Sequence, residues 1–318
     1  MSETSMNETG EMPVEAILRE ELAHSDAVLG TIAPILGHLA VSSENSLFND
    51  EIVAQIRGMA NCVARELLNA QMSATAEDTR DTVLDGLDGL SAELLAHEGF
   101  LSHCHALGLE SALAKQLLQR SGIDPVLPPM MQALISSSEA DVSSNAMAAL
   151  TSQARFLKQM DRMELVATEL PGDLFHEVIQ LWRSHAGPDA ELVTSQAEVQ
   201  IRAKFDESAS RLGLFSRLVN GMGKGAQAGL SISHAGVATF LSVLAQLSKQ
   251  PRNVAAISTN ERLVGRLALG LRAAGLKPKE VEEQFLLIHP SVELPDGFDM
   301  LRSDRAAALL SETGEVAG

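Results

Sequence analysis

Apolar residues recur at helical spacing along almost the whole chain. After Ser233, apolar side chains from Val237 to Leu247 fall at positions i, i+3, i+4, i+7 and i+10, which gives a helix one apolar face. Comparable patterns surround Phe156 and Trp182, whereas strand-forming residues are scarce. The pattern therefore predicts an all-α protein.

Capping and stop residues mark the ends of the predicted helices. Ser233 stands where a side-chain cap is needed, and Ser258 with Glu261 forms a capping-box pattern. Gly275 is placed for a left-handed stop, and Pro278 opens the next helix. Many short helices joined by short loops favour layered antiparallel helix pairs, with an irregular, solenoid-like helical repeat as the alternative arrangement.

The apolar stripes also predict the core of the protein. Each of these stripes must be removed from water by packing against another helix. The side chains that we expect to be buried are Phe156, Leu174, Trp182, Phe240, Leu244, Leu267 and Phe285.

Composition divides the chain into four predicted segments. Residues 1–12 form an acidic disordered tail, and residues 13–120 form an acidic N-terminal helical region. Residues 121–310 form a helical domain, and residues 311–318 form a flexible tail.

Four segments after residue 107 carry a family resemblance. They read ALAKQLLQRSGIDPVLPPMMQALI, ARFLKQMDRMELVATELPGDLFHEVIQLW, DESASRLGLFSRLV and AAGLKPKEVEEQFLLIHPSVELPDGFDMLRSDRAAALL. The region 107–310 resembles an uncharacterised bacterial family of all-helical proteins labelled domain of unknown function twenty-three thirty-six. The resemblance implies an α-helical, partly repeat-like fold in a cytoplasmic bacterial protein, and the family has no functional residues to carry over.

Composition supports a cytoplasmic location without a membrane span. No run reaches the roughly eighteen uninterrupted apolar residues that a spanning helix requires, and the first fifteen residues are acidic where a signal peptide would be basic. The two cysteines, Cys62 and Cys104, lie in apolar helical contexts far apart in sequence. This placement predicts buried reduced thiols rather than a disulfide.

Charge is distributed unevenly along the chain, whose formal net charge is −18. Residues 1–100 carry a net charge of −14, whereas residues 202–279 carry +9. We expect these segments to attract each other within one molecule or between copies, and two solvated faces are the alternative. The candidate partner-binding residues are Arg202, Arg211, Arg217, Lys224, Arg262, Arg266 and Arg272. The candidate acidic residues include Asp78, Asp81, Asp85 and Asp88.

The stretch HEGFLSHCHALG raises the question of a metal site. On one ideal helix His97 and Cys104 share a face, and His105 lies about 80° to one side. These three residues are the candidate metal ligands, but Gly99 is placed to interrupt the helix between them, and no second pair with ligand spacing completes a tetrahedral site. The pattern favours histidines around a buried thiol and no bound metal.

Two further motifs are explained without a ligand. NGMGKGAQAG, residues 220–229, lacks the Ser or Thr that follows the lysine of a phosphate loop, and a flexible inter-helix loop is the better interpretation. The hairpin ERLVGRLALGLRAAGLKPKEVEEQFLLI resembles a helix-turn-helix, but its second helix presents Glu280, Glu282 and Glu283. These carboxylates would repel phosphate, so the sequence argues against nucleic-acid binding.

No motif in the sequence indicates catalysis or a cofactor. A nucleophile elbow with a catalytic triad and a dinucleotide-binding fingerprint are both missing from the sequence. We therefore interpret the chain as a non-catalytic cytoplasmic adaptor, regulator or scaffold that binds a protein partner or a second copy of itself. The alternative is an enzyme or a metal- or ligand-binding protein with a pocket between helical layers, near His97, Cys104, His105 or His176.

Overall fold

A computed structural model describes residues 13–41, 50–74 and 86–314. Across these ranges the protein is 83% helical, with 14 α-helices packed against each other and no strand. The all-α prediction is confirmed. The predicted acidic tail at residues 1–12 lies outside the described residues.

The α-helices are short to medium in length and follow one another closely. They are α1 Pro13–Val41, α2 Asp50–Ala74, α3 Leu87–Ala96, α4 Glu98–Ser121, α5 Pro129–Ile135, α6 Ala140–Asp161, α7 Gly172–Ala186, α8 Glu191–Lys204, α9 Arg211–Met222, α10 Ile232–Ser248, α11 Arg252–Ile257, α12 Val264–Ala273, α13 Pro278–Ile288 and α14 Ser303–Gly314. Short 3₁₀ helices cover Ala167–Glu169, Pro188–Ala190, Glu207–Ala209, Gly223–Leu230, Glu261–Leu263 and Phe298–Met300.

The chain forms two compact units that interleave along the sequence. Unit 1 comprises Met1–Thr31, Leu109–Ala146 and Leu218–Gly318, and unit 2 comprises Ile32–Gly108 and Met147–Arg217. This division follows contacts in space, whereas the predicted segment boundaries near residues 120 and 310 follow composition. Helix α14 also continues four residues into the segment predicted as a flexible tail.

Unit 1 is built around α10, which is buried on nearly all sides. Thirteen of its 17 residues are buried, and it packs against α5, α11, α12 and the 3₁₀ helix Gly223–Leu230. The helix is kinked at Gly236, whose φ of 72° is the left-handed region that favours glycine. A Cβ at this position would lie 2.8 Å from Cγ of Pro128, so the kink also allows a close approach.

The glycine-rich segment after α9 differs from the predicted flexible loop. Residues Gly223–Leu230 form a 3₁₀ helix that packs against α10 and buries Ala226, Gly229 and Leu230. A Cβ on Gly229 would lie 2.6 Å from Cγ2 of Val243. The small residues of this segment allow close packing against α10. From composition alone, the same residues predicted a flexible loop.

A buried ion pair holds α4 to the region around α10 within unit 1. Arg252 donates hydrogen bonds of 2.9 and 3.0 Å to the two carboxylate oxygens of Glu110, whose side chain is only 1% exposed. Arg252 also donates to the hydroxyl of Ser242 on α10 at 3.2 Å. The bidentate pair compensates for the burial of the carboxylate charge.

Unit 2 has one continuous apolar core around α2. Helix α2 packs against α3 and α8, and α7 packs against both α3 and α8. Trp182 of α7 is fully buried, and its indole Nε1 donates to Oε1 of Gln71 at 3.1 Å. This bond satisfies the one polar atom of the largest core side chain.

All seven predicted core residues are buried, so this prediction is confirmed. Their exposed fractions range from 0% for Phe240 to 7% for Leu174. The predicted stop at Gly275 and the start at Pro278 are also confirmed, with a φ of 102° at Gly275.

Two of the predicted caps are wrong. Helix α10 begins at Ile232, one residue before the predicted cap Ser233, and no side chain caps it. Asn260 rather than Ser258 accepts from a helical amide, that of Arg262. A Glu280 carboxylate accepts from the Lys277 amide at 2.7 Å at the start of α13. These differences of one or two residues are typical of helix ends.

None of the described helices is long and apolar enough to cross a membrane.

Candidate functional site

Helices α2 and α8 of unit 2 border a cleft of about 420 Å³, which we name the α2–α8 cleft. Residues spaced three and four apart on α2 form one wall, and one turn of α8 forms the other. The lining residues are Cys62, Arg65, Glu66, Asn69, Ala70, Ser73, Gln200, Ile201 and Lys204.

Two cationic side chains line the α2–α8 cleft. Arg65 of α2 and Lys204 at the end of α8 are exposed, and neither forms a hydrogen bond or ion pair with a carboxylate of the described ranges. The amides of Asn69 and Gln200 supply further hydrogen-bond donors, whereas the hydroxyl of Ser73 already donates to the backbone carbonyl of Asn69 at 2.8 Å. The cleft therefore combines two cations with two side-chain amides.

Glu66 is the one carboxylate among the cleft residues. Its Oε2 accepts a hydrogen bond of 2.7 Å from the backbone amide of Ala167. Burial raises the pKa of Glu66, while that hydrogen bond and the charge of Lys204 lower it. The carboxylate thus already has partners within unit 2.

Cys62 gives the cleft a half-buried thiol. Burial raises its pKa, a backbone hydrogen bond from Leu165 lowers it, and Glu164 and Glu66 raise it further. The thiol is consequently protonated at neutral pH and is not an activated nucleophile. Cys62 is less buried than predicted, whereas Cys104 is buried as predicted, and both are free thiols.

An exposed apolar stripe runs along α8 beside the cleft. Leu192 and Val199 are 74% and 68% exposed, the largest exposures among the large described hydrophobic residues. They lie seven residues apart, and the exposed Ala203 follows on the same face. The opposite face buries Thr194, Ala197 and Ile201. We call Leu192, Val199 and Ala203 the α8 stripe.

Ion pairs neutralise the other flank of α8. Arg183 of α7 lies 3.3 Å from Oε2 of Glu198 and 3.7 Å from Oε1 of Glu191. Arg202 donates to Oε1 of Glu198 at 2.7 Å and lies 3.3 Å from Nδ1 of His176. The cations of the α2–α8 cleft, Arg65 and Lys204, form no such ion pair with a described carboxylate.

The three candidate metal ligands do not form a metal site within the described ranges. A helix break at His97, two residues before the interruption predicted at Gly99, separates His97 from α4. His97 Nδ1 accepts from the Phe100 amide, and its Nε2 lies 3.6 Å from Glu177. No described group of three His, Cys, Asp or Glu residues could hold a metal ion.

Cys104 and His105 are core residues of α4. Cys104 is fully buried, and burial raises its pKa strongly. His105 is 5% exposed, and burial lowers its pKa to about 4, so the ring is neutral at pH 7. These environments stabilise uncharged side chains.

The seven candidate partner-binding residues fall in both units. Arg211 is buried, lies 3.7 Å from the ring centroid of Phe156 and donates to Gln153. Arg266 is also buried and donates to Gln250. Of the remaining candidates, Arg272 is half-buried. The exposed ones are Arg202, Arg217, Lys224 and Arg262.

One contact joins the acidic and basic sequence segments inside unit 1. Arg266 of the basic segment forms an ion pair with Asp26 of α1. The attraction expected from the charge distribution is thus present at this pair. Asp88 is exposed in the first turn of α3, whereas Asp78, Asp81 and Asp85 lie outside the described residues.

Sequence reasoning missed Arg65, and it did not connect Lys204 with the cleft. The cleft depends on α2 lying beside α8, and no local pattern predicts that pairing of distant segments. A signal for the stripe was present, because Leu192 and Val199 fall one heptad apart on the polar side of α8.

The chain matches no protein-family model, no curated protein and no solved structure. The family resemblance over residues 107–310 stays a prediction.

Proposed function

We propose that the protein is a non-catalytic cytoplasmic adaptor, regulator or scaffold, and that unit 2 binds an acidic amphipathic helix of another protein. The partner helix places apolar residues on the α8 stripe and acidic residues toward Arg65 and Lys204. The proposed family resemblance, which implies a helical cytoplasmic protein, is compatible with this function.

The observation that carries the proposal is the exposure of Leu192 and Val199. Both leave most of an aliphatic side chain in water, one heptad apart on a single helix face. A partner helix that covers them removes apolar area from water, at roughly 25 cal/mol per Å². Such spacing is the geometry of helix-in-groove recognition.

Charge favours an acidic partner helix over a second copy of the chain. Arg65 and Lys204 of the adjoining cleft attract carboxylates, while ion pairs already neutralise the other flank. A short helix carries few negative charges, so its repulsion by a chain of net charge −18 is smaller than the repulsion between two copies. The same net charge is our reason to propose that nucleic acids are not partners.

A set of synthetic helical peptides tests the proposal. The peptides share length and composition, and only one has its leucines at positions i, i+3 and i+7 with glutamates on the adjoining face. We expect this peptide to bind, the scrambled peptide to bind at least about tenfold more weakly, and salt to reduce the affinity. Fluorescence anisotropy measures the affinities.

Variants of the stripe locate the binding surface. Leu192→Ser with Val199→Ser should abolish peptide binding, whereas Leu286→Ser with Met147→Ser should leave it unchanged. The control residues are 66% and 47% exposed and lie outside the stripe. Equal binding of the ordered and scrambled peptides, or unchanged binding by the stripe variant, would contradict the proposal.

A further inference from the structure

We propose that the α2–α8 cleft binds a small dianion, either a phosphate monoester or a dicarboxylate. This ligand is a free small molecule rather than a segment of a protein. The inference shares Arg65 and Lys204 with the proposed partner surface, but it does not require a helix on the α8 stripe.

The size and composition of the cleft suit such a ligand. Its volume of about 420 Å³ lies within the usual range of small-molecule sites, roughly 300–1,000 Å³. One wall carries Arg65 on α2 and the other carries Lys204 on α8. A ligand between the helices can therefore contact both cations, which neither helix offers alone.

The two cations recognise anions in different ways. The planar guanidinium of Arg65 can donate two parallel hydrogen bonds to a phosphate or carboxylate group, and Lys204 adds a compact positive charge. Asn69 and Gln200 can donate to the remaining oxygens. Neither cation forms an ion pair with a described carboxylate, but the charge of Lys204 acts on Glu66, so a bound dianion competes with Glu66 for Lys204.

Negative charges around the cleft restrict the ligand to small anions. The carboxylate of Glu66 lines the cleft, and Glu164 lies close enough to Cys62 to raise its pKa. The hydrogen bond from the Ala167 amide partly offsets the charge of Glu66. A dianion that reaches both cations gains more than a monoanion, whereas an extended polyanion would meet these carboxylates.

The thiol of Cys62 provides a local measure of binding. Cys62 lines the cleft and is half-buried, whereas Cys104 is fully buried, so a neutral alkylating reagent should modify Cys62 first in the folded protein. We would follow alkylation of Cys62 by iodoacetamide at constant ionic strength, in inorganic phosphate, glycerol phosphate, succinate, acetate or chloride. Calorimetric titration of the same salts gives affinities.

We expect at least about fivefold protection of Cys62 at saturation by a dianion and little by acetate or chloride. Protection by inorganic phosphate and glycerol phosphate but not by succinate identifies a phosphoryl ligand. Protection by succinate but by neither phosphate identifies a dicarboxylate. Arg65→Gln or Lys204→Gln should weaken binding at least about tenfold. Lys279→Gln removes one exposed charge of unit 1 and should have no effect.

Three results would overturn the inference. One is that no dianion gives saturable protection of Cys62 from alkylation or a saturable heat of binding. Another is that the Arg65 and Lys204 variants bind as tightly as the unaltered protein while keeping its thermal unfolding midpoint. The third is equal weakening of binding in the Lys279 control. Because no peptide is present, failure here would leave the peptide experiment unaffected.

Discussion

Helices α10 and α8 show two ways in which a helix of this protein carries apolar residues. Helix α10 is apolar on nearly every side and is covered on nearly every side. Helix α8 buries only Thr194, Ala197 and Ile201, yet it displays Leu192 and Val199 to solvent. Apolar residues therefore serve folding in α10, whereas those displayed on α8 form the partner surface that we propose.

The largest effect expected from this comparison is on Phe240 in α10. Phe240→Ala should lower the free energy of unfolding by about 3–5 kcal/mol, because a fully buried ring is replaced by a cavity. Urea unfolding followed by circular dichroism measures the change. A loss under about 0.5 kcal/mol would place Phe240 on the surface and remove the contrast between the helices.

Breaking the ion pair that Arg252 makes beside α10 should have a similar but slightly smaller effect. Arg252→Met should destabilise the protein by about 3 kcal/mol, because the buried carboxylate of Glu110 would lose this bidentate ion pair. The double variant Arg252→Met with Glu110→Gln should recover part of this loss. If the double variant is no more stable than the single variant, the buried charge is not the cause.

Acid should weaken the core of unit 2 through His105. Its pKa is about 4 in the folded protein and about 6.5 in an unfolded chain, so the unfolded chain binds the proton first. The folded state is therefore fully favoured above about pH 6.5 and loses about 3 kcal/mol as the pH falls to 4. His105→Gln should remove this part of the pH dependence, and His234→Gln, at an exposed position of α10, should not. Identical slopes for all three proteins would refute the assignment.

The kink in α10 should be sensitive to a single methyl group. Gly236→Ala combines a positive φ with a Cβ only 2.8 Å from Pro128, and it should destabilise the protein by about 1–3 kcal/mol. Gly221→Ala is a matched control, because its Cβ meets nothing within 4 Å and its φ is not positive. Equal stabilities of the two variants would show that α10 tolerates a different bend.

The smallest effect is expected on α8. Leu192→Ser and Val199→Ser should each change the free energy of unfolding by less than about 0.5 kcal/mol, because both side chains already lie in water. Thermal and urea unfolding measure the change. A loss above about 1 kcal/mol would mean that the stripe is covered within the protein and is not a binding surface.

The same contrast explains how much of the fold was predictable. The stripe through Phe240 and Leu244 has helical periodicity, and it correctly predicted a buried helix. The environment of Arg211 and Arg266 was not predictable, because the groups that bind them, Gln153 and Asp26, come from distant parts of the sequence. Long-range pairing of this kind has no local signal.

The candidate site was predictable only in part. Lys204 and Arg202 belong to a basic segment that the sequence identified, but only Lys204 lines the cleft. The helix break at His97 separates His97 from the continuous helix that holds Cys104 and His105. A helical-wheel argument is valid only within one unbroken helix, and the residue types indicated an interruption at Gly99, two residues from the observed break.

Because Trp182 is buried in unit 2, its intrinsic fluorescence reports on the unfolding of that unit. The chain has one tryptophan and no tyrosine, and the tryptophan lies in the core of unit 2 with its indole bonded to Gln71. Excitation at the red edge of the absorption band therefore reports on unit 2 alone, while circular dichroism averages over all helices. If the emission spectrum shifts at a different denaturant concentration from the helical signal, the two units lose their structure in separate steps.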